Sequence, residues 1–133
     1  MDAYVFHSPQ DENNGIRVTV VGEIIGTSMK FAVSRCDGKD PFVRKEGRAK
    51  AMDRLSKGDL YVTLPLENVS KVQRIMFFIN ASKAISSAVA LFGIERKVEL
   101  VRAHKVYAQN VLNSEPFERV SEMGEIEFVY IKR

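Results

Sequence analysis

The sequence has no tryptophan, one cysteine and two histidines in 133 residues. A single cysteine excludes an internal disulfide framework and is typical of a protein in a reducing cytosol. His7 and His104 lie far apart and show no metal-ligand spacing with each other or with Cys36, so we predict no metal site. The polar, acidic start of the chain does not resemble a signal peptide. We therefore expect a cytoplasmic protein without a metal or a cofactor.

The overall composition predicts a single domain over residues 1–133. Apolar residues make up 45% of the chain, which supports a hydrophobic core. The formal net charge is only +3, so the placement of the basic residues matters more than their number. The most apolar stretch, residues 75–93, is interrupted by polar side chains, which favours a buried helix over a membrane span. We expect no membrane partner.

Alternating apolar residues and β-branched residues predict a sheet. A first strand is predicted over residues 3–6, and residues 16–25 and 29–35 are predicted to form a hairpin. The pattern at 60–64 indicates another strand, which Pro65 would stop. A last strand is predicted over 125–133.

Three segments have helical features. The first has clear end signals, with Asp40 as N-cap, Pro41 at the first helical position and Lys57-Gly58 at the exit. Residues 69–92 are periodic but change face, which indicates one kinked helix or two elements. Residues 95–113 are ambiguous: Val98 and Leu100 could start a strand, but the spacing of the apolar residues favours a helix. Together the elements predict an α+β fold with a mainly antiparallel sheet and two to four helices packed on one face.

The helix after Asp40 carries charge where apolar residues are expected. At about 100° per residue, Arg44 and Arg48 project from its apolar arc, one turn apart. A guanidinium there must reach out to water, pair with a carboxylate or contact an anionic ligand. Gly47 between them would let a ligand or another chain approach the backbone. Phe42, at the start of the helix, either stacks on a base or fills the core.

Positive charge also surrounds the start of this helix. The preceding strand and loop contribute basic side chains, and the helix N-terminus favours an anion. We therefore predict a phosphate site at the strand–loop–helix junction, in which arginines give bidentate contacts. The alternative is that the basic run is only a solvated face of the helix. The predicted ligand-binding residues are Arg35, Lys39, Phe42, Arg44, Lys45, Gly47 and Arg48.

The segment SRCDGKDPFVRKEGRAKAMDRL, residues 34–55, resembles a pattern found in small phage-encoded proteins. The matching residues are Asp40, Phe42, Arg44, Lys45, Gly47, Arg48, Ala51, Arg54 and Leu55. The segment is similar in this respect to the Thoeris anti-defence sponges, phage proteins that sequester signalling nucleotides. The resemblance implies an oligomeric, non-enzymatic binder of a cyclic nucleotide made from ADP-ribose or related compounds, acting in the host-cell cytoplasm.

Three functions fit these features. The first is a non-enzymatic phage-type protein that sequesters a phosphorylated small molecule, such as a cyclic signalling nucleotide, to counter host defence as a homodimer or higher oligomer. The second is a phage protein that binds single-stranded DNA or RNA through an extended basic face. The third is an inhibitor that binds a host protein. No Cys–His or paired-carboxylate arrangement suits catalysis, so we predict no catalytic residue and no enzymatic activity.

Overall fold

The computed structural model describes residues 3–9, 15–38, 41–66, 71–94, 117–120 and 126–129. The elements in these ranges are β1 (Ala3–His7), β2 (Arg17–Ile25), β3 (Ser28–Cys36), α1 (Arg44–Ser56), β4 (Val62–Pro65), α2 (Lys71–Phe92), β5 (Phe117–Val120) and β6 (Ile126–Val129). The strands form one six-stranded sheet in the order β4-β3-β2-β1-β5-β6, and all pairs are antiparallel. The predicted α+β fold with a mainly antiparallel sheet is therefore confirmed.

The β2–β3 hairpin forms where the residue alternation predicts it. Its register runs from the Arg17–Cys36 pair to the Ile25–Ser28 pair. Gly26 opens the two-residue turn with φ of 61°, a conformation that glycine adopts without strain. The first strand is also confirmed, and it extends to His7.

The later strands differ more from the prediction. β4 begins at Val62 instead of residue 60, and it includes Pro65. Proline is tolerated there because β4 is the last strand at its side of the described sheet. β5 has no counterpart in the sequence prediction, whereas β6 lies within the strand predicted over 125–133. The helix predicted over 95–113 lies outside the described residues.

Helix α1 starts later than predicted. Its first residue is Arg44, and the N-cap residue Val43 is extended with φ of −122° and ψ of 118°. Val43 provides no side-chain hydrogen bond to the helix. Pro41 and Phe42 are therefore not helical, which corrects the placement of Pro41 at the first helical position. The predicted N-cap, Asp40, lies outside the described residues.

The exit of α1 is as predicted. Gly58 follows the C-cap residue Lys57 and has φ of 76°, where glycine is favoured. The N–H of Gly58 donates to the carbonyl of Leu55 at 3.2 Å, and the N–H of Asp59 donates to the carbonyl of Arg54 at 2.9 Å. This pair of bonds is the Schellman arrangement, which satisfies the last carbonyls of a helix.

The segment that changes face is one helix, α2, of 22 residues. The five consecutive residues from Ile75 to Ile79 are all buried. Five consecutive buried residues cover the whole circumference of this part of α2, so it has no single apolar stripe and the change of face needs no break. Polarity alone does not exclude a membrane span, because Gln73–Leu91 has a mean hydropathy of 1.2. However, 67% of that stretch is buried inside the protein, as in a core helix.

The two helices lie on opposite faces of the sheet, so the expectation that helices pack on one face is wrong. Tyr4 and Phe6 belong to a buried cluster with residues of α2. Their neighbours Ala3 and Val5 belong to a second cluster that contains Ala51 of α1. Successive strand residues point to opposite faces, so each cluster lies on one side. β1 and β2 carry buried apolar residues on both faces, and each of these faces has a helix as its cover.

Candidate anion-binding site

A row of polar side chains crosses the sheet beneath α1. His7, Thr19 and Ser34 are register neighbours on β1, β2 and β3. His7 Nδ1 lies 2.9 Å from Thr19 Oγ1, and the hydroxyl of Ser34 donates to the carbonyl of Gly47 at 2.8 Å. Thr19 and Ser34 are buried. The row therefore ties the first half of α1 to the sheet.

Gly47 allows this close approach of helix and sheet. A Cβ on Gly47 would overlap Thr19 Oγ1 and would lie 3.4 Å from Cε1 of Phe42. Only a residue without a side chain fits here without a shift of the backbone. The expectation that Gly47 opens the helix to a ligand is therefore wrong, because β2 and the Phe42 ring fill the space.

Arg17 lies at the start of β2, next to the polar row. Its guanidinium carbon is 4.2 Å from the centre of the Phe42 ring, within the range of a cation–π interaction. Its Nε donates to the carbonyl of Ser8 at 2.6 Å. His7 packs against the same ring, with the two ring centres 5.5 Å apart. Within the described ranges, no carboxylate pairs with Arg17 and no acceptor meets its terminal amino groups.

Arg44 brings a second positive charge to Arg17. Burial, followed by the charge of Arg44, lowers the pKa of Arg17 below its ordinary value, and Cys36 acts in the opposite direction. Arginine still remains protonated at neutral pH. Two like charges therefore coexist at the junction of β2 and α1, and a bound anion would favour both charged forms. We call the group of Arg17, Phe42 and Arg44 the Arg17 site.

Arg35 is a predicted ligand residue that does not join this group. Its guanidinium pairs with Asp37 and reaches the carbonyl of Ala90, near the end of α2, at 3.5 Å. Strand alternation explains this, because Ser34 faces α1 and its neighbour Arg35 points to the other face. Arg35 nevertheless lines one cleft with two other predicted ligand residues, Phe42 and Gly47, whereas Arg44 and Arg48 do not line that cleft.

The other predicted residues have different positions. Lys39 lies outside the described residues. Lys45 is exposed on α1, and Arg48 is half-buried one turn after Arg44. Phe42 is half-buried against Arg17 and also lines a cleft beside α1, so it does not fill the main core.

A small cleft of about 30 Å³ lies between β3 and the start of α1. Its charged lining residues are Arg35, Glu46 and Lys50, and neither Arg44 nor Arg48 lines it. The cleft carries both signs of charge, so it suits an anion less well than the Arg17 site, with which it shares Phe42. Cys36 also lines it, and its Sγ lies 3.8 Å from the carbonyl of Pro41.

Sequence reasoning missed Arg17 because it sought the positive charge on one helix and its loop. A signal was available, since alternation places Arg17 and Thr19 on the same face of β2. The sequence alone does not show that this face lies under α1. The pairing register and the late start of α1 at Arg44 are what bring the two arginines and Phe42 together.

Neither metal binding nor similarity to known proteins accounts for this arrangement. Among the described residues, no group of three or more His, Cys, Asp or Glu side chains could hold a metal ion. A scan against protein-family models and searches of curated proteins and solved structures found no match to the chain. The function must therefore be inferred from the geometry of the Arg17 site.

Proposed function

We propose that this chain is a non-enzymatic protein that binds a phosphorylated ligand at the Arg17 site. The observation that supports this most directly is the state of Arg17. Its guanidinium is stacked on Phe42, bonded through Nε to Ser8 and placed beside the charge of Arg44. The two terminal amino groups remain as a planar fork, which suits two oxygens of a phosphate.

Electrostatics favours an anion over a neutral ligand at this position. A phosphate monoester carries a charge of about −1.5 to −2 at pH 7, which matches two guanidinium groups. The start of α1 adds to the positive potential, because the N-cap residue Val43 gives no side-chain bond to the first-turn N–H groups. An anion held there would offset the repulsion between Arg17 and Arg44.

We extend the proposal to a biological role. A protein that binds a phosphorylated signalling nucleotide without transforming it would sequester that nucleotide and counter a host defence. The support for this role is the resemblance of residues 34–55 to phage-encoded proteins. A homodimer or higher oligomer belongs to the same proposal. Native mass spectrometry of the protein purified from cells would report both the stoichiometry and any retained nucleotide.

Titration calorimetry with ADP and ADP-ribose tests the binding site. Arg17→Ala should weaken binding by about tenfold or more, because it removes charge-assisted hydrogen bonds. Arg74→Ala is the matched control, since Arg74 is exposed on α2, the helix on the opposite face. Equal affinities of the Arg17→Ala variant and the unmodified protein would contradict the proposal.

Single-stranded nucleic acid is the second candidate ligand. The exposed Arg44 and Lys45 next to the half-buried Arg17 favour it, because successive phosphates of one strand could contact all three. Affinity for a mixed single-stranded oligonucleotide should then fall steeply between low and moderate salt. An affinity that does not change with salt concentration would exclude single-stranded nucleic acid as the ligand.

A further inference from the structure

We infer that Ser8 is a positioning residue for Arg17. The Ser8 hydroxyl accepts a main-chain hydrogen bond of the sheet, and this leaves the Ser8 carbonyl to hold the guanidinium. The consequence for ligand binding rests on the proposed function, because it concerns the ligand of the Arg17 site. The exchange of hydrogen-bond acceptors can be tested in the free protein, whether or not a ligand binds.

Ser8 lies one residue beyond the end of β1, where the sheet pairing would continue. His7 pairs with Thr19 in the register of β1 and β2, so the next pair is Ser8 with Val18. The N–H of Ser8 donates to the carbonyl of Val18 at 2.9 Å, as in a regular antiparallel pair. The return bond of a regular pair would go to the Ser8 carbonyl, but the N–H of Val18 donates to Oγ of Ser8 at 2.9 Å. The hydroxyl therefore replaces the carbonyl as the acceptor in the sheet.

The carbonyl of Ser8 is the acceptor that holds Arg17. Nε of Arg17 donates to it at 2.6 Å, which is a hydrogen bond from a charged donor. Ser8 is fully buried, so its carbonyl is shielded from water. Pro9 follows, and a residue before proline is restricted to extended conformations, which limits the rotation of this carbonyl. The acceptor therefore has a fixed direction before any ligand arrives.

The bond to Ser8 decides which edge of the guanidinium is presented to a ligand. A guanidinium has five N–H donors in a rigid plane, and Nε carries one of them. Nε is bonded to Ser8, and the ring of Phe42 lies against the plane of the group. An oxyanion therefore meets Arg17 end-on, through the two terminal amino groups. A side chain held in this way loses less conformational freedom on binding, which favours affinity.

Replacement of Ser8 by alanine should release Arg17 while the sheet stays paired. Without the hydroxyl, the N–H of Val18 has no acceptor unless the Ser8 carbonyl turns toward it. That turn is expected, because a buried N–H without an acceptor is costly, and it moves the carbonyl away from Nε of Arg17. A serine with a purely structural role would instead affect the sheet and leave the guanidinium where it is.

Nuclear magnetic resonance of the free, full-length chain tests the exchange of acceptors. In Ser8→Ala, the Nε–H resonance of Arg17 should shift and its hydrogen should exchange faster with water, whereas the amide of Val18 stays protected. An unchanged Nε–H of Arg17, or loss of protection at Val18, would overturn the inference. The unmodified protein provides a test that does not need the variant to fold. There, an Nε–H of Arg17 that exchanges as fast as that of Arg74, which is exposed on α2, would also overturn it.

Titration calorimetry with ADP tests the consequence for binding. Ser8→Ala should weaken ADP by about two- to tenfold, because the guanidinium must then be ordered by the ligand. Ser86→Ala is the matched control: it also removes a buried hydroxyl, but from α2 on the opposite face, and should leave the affinity unchanged.

A double-mutant cycle shows whether Ser8 acts through Arg17. In the Arg17→Ala background, Ser8→Ala should cause no further loss of ADP affinity. The same loss in both backgrounds, or no loss in either, would overturn the positioning role. If ADP and ADP-ribose do not bind the unmodified protein, the proposed function fails, and the resonance of Arg17 then decides alone whether Ser8 positions this side chain.

Discussion

Replacement of Gly47 by alanine should destabilise the protein, although alanine is the better helix former. In an exposed helix this change would stabilise by about 1 kcal/mol. Here the new Cβ would lie closer to Thr19 Oγ1 than the 3.0 Å below which real Cβ atoms essentially never occur. Thr19 is buried, so helix and sheet must move apart, and the bond from Ser34 to the carbonyl of Gly47 is stretched.

The opposing effects can be compared in magnitude. Overpacking of a tight contact costs about 1–3 kcal/mol. Weakening the hydrogen bond from Ser34 to Gly47 adds about 1 kcal/mol of destabilisation, and the higher helix propensity of alanine offsets about the same amount. We therefore expect Gly47→Ala to lower the free energy of unfolding by about 1–3 kcal/mol. Denaturant titration followed by far-ultraviolet circular dichroism measures this, since the chain has no tryptophan.

A double-mutant cycle identifies the cause. Thr19→Ala removes Oγ1, so Gly47→Ala should be much less harmful in that background, with a coupling energy of about 1 kcal/mol or more. Ala49→Gly at an exposed position of α1 is the control for intrinsic helix propensity, and it should destabilise by about 1 kcal/mol. A stabilising Gly47→Ala, or effects that add within about 0.5 kcal/mol in the cycle, would refute the reasoning.

Three further predictions concern other parts of the chain. Ser82→Ala should raise the free energy of unfolding by about 1 kcal/mol, because the buried Ser82 hydroxyl has no hydrogen-bond partner among the described residues; a lower melting temperature would contradict this. Arg54→Ala should lower it by about 1 kcal/mol, because Arg54 donates to the carbonyl of Val33; an unchanged denaturation midpoint would speak against that role. Arg35→Ala, unlike Arg17→Ala, should leave the affinity for ADP within about twofold of that of the unmodified protein. A large loss of affinity in calorimetry would show that Arg35 contributes to binding.

The strands at the start of the chain could be predicted because local preference and tertiary packing agree there. Residues 17–25 are rich in β-branched side chains, and Gly26 marks the turn. The predicted start of β4 was less accurate, because the residues between α1 and β4 do not alternate between apolar and polar in a way that fixes the first paired residue. Pro65 also signals an end, yet the sheet edge tolerates it.

The start of α1 shows where local signals fail. Asp40 and Pro41 are a strong helix start by propensity, but Pro41 and Phe42 are not helical and Val43, the N-cap residue, is extended. The Phe42 ring is held between Arg17 and His7, and this tertiary contact outweighs the local preference. Tertiary burial also explains α2, which stays one helix while its residues from Ile75 to Ile79 are all buried.

The candidate site was found in part. The sequence predicted an anion site near the start of α1 and named Phe42, whose ring the structure places against Arg17. It also named Arg35, which lines a cleft with Phe42 while its guanidinium pairs with Asp37. The key residue, Arg17, is 27 positions before Arg44 in the chain, and only the pairing of β2 with β3 brings it close.

The unequal faces of the sheet have a consequence for assembly. The side toward α2 carries Tyr4, Phe6 and Phe31, whereas the side toward α1 carries smaller residues such as Ala3 and Ala32. A shift of one strand by one residue would exchange its two faces. Its aromatic rings would then lie under α1, which packs closely on the sheet, and its small residues would leave cavities under α2. The two helices therefore fit only one register of the strands, and hairpins with a shifted register should be unstable early in folding.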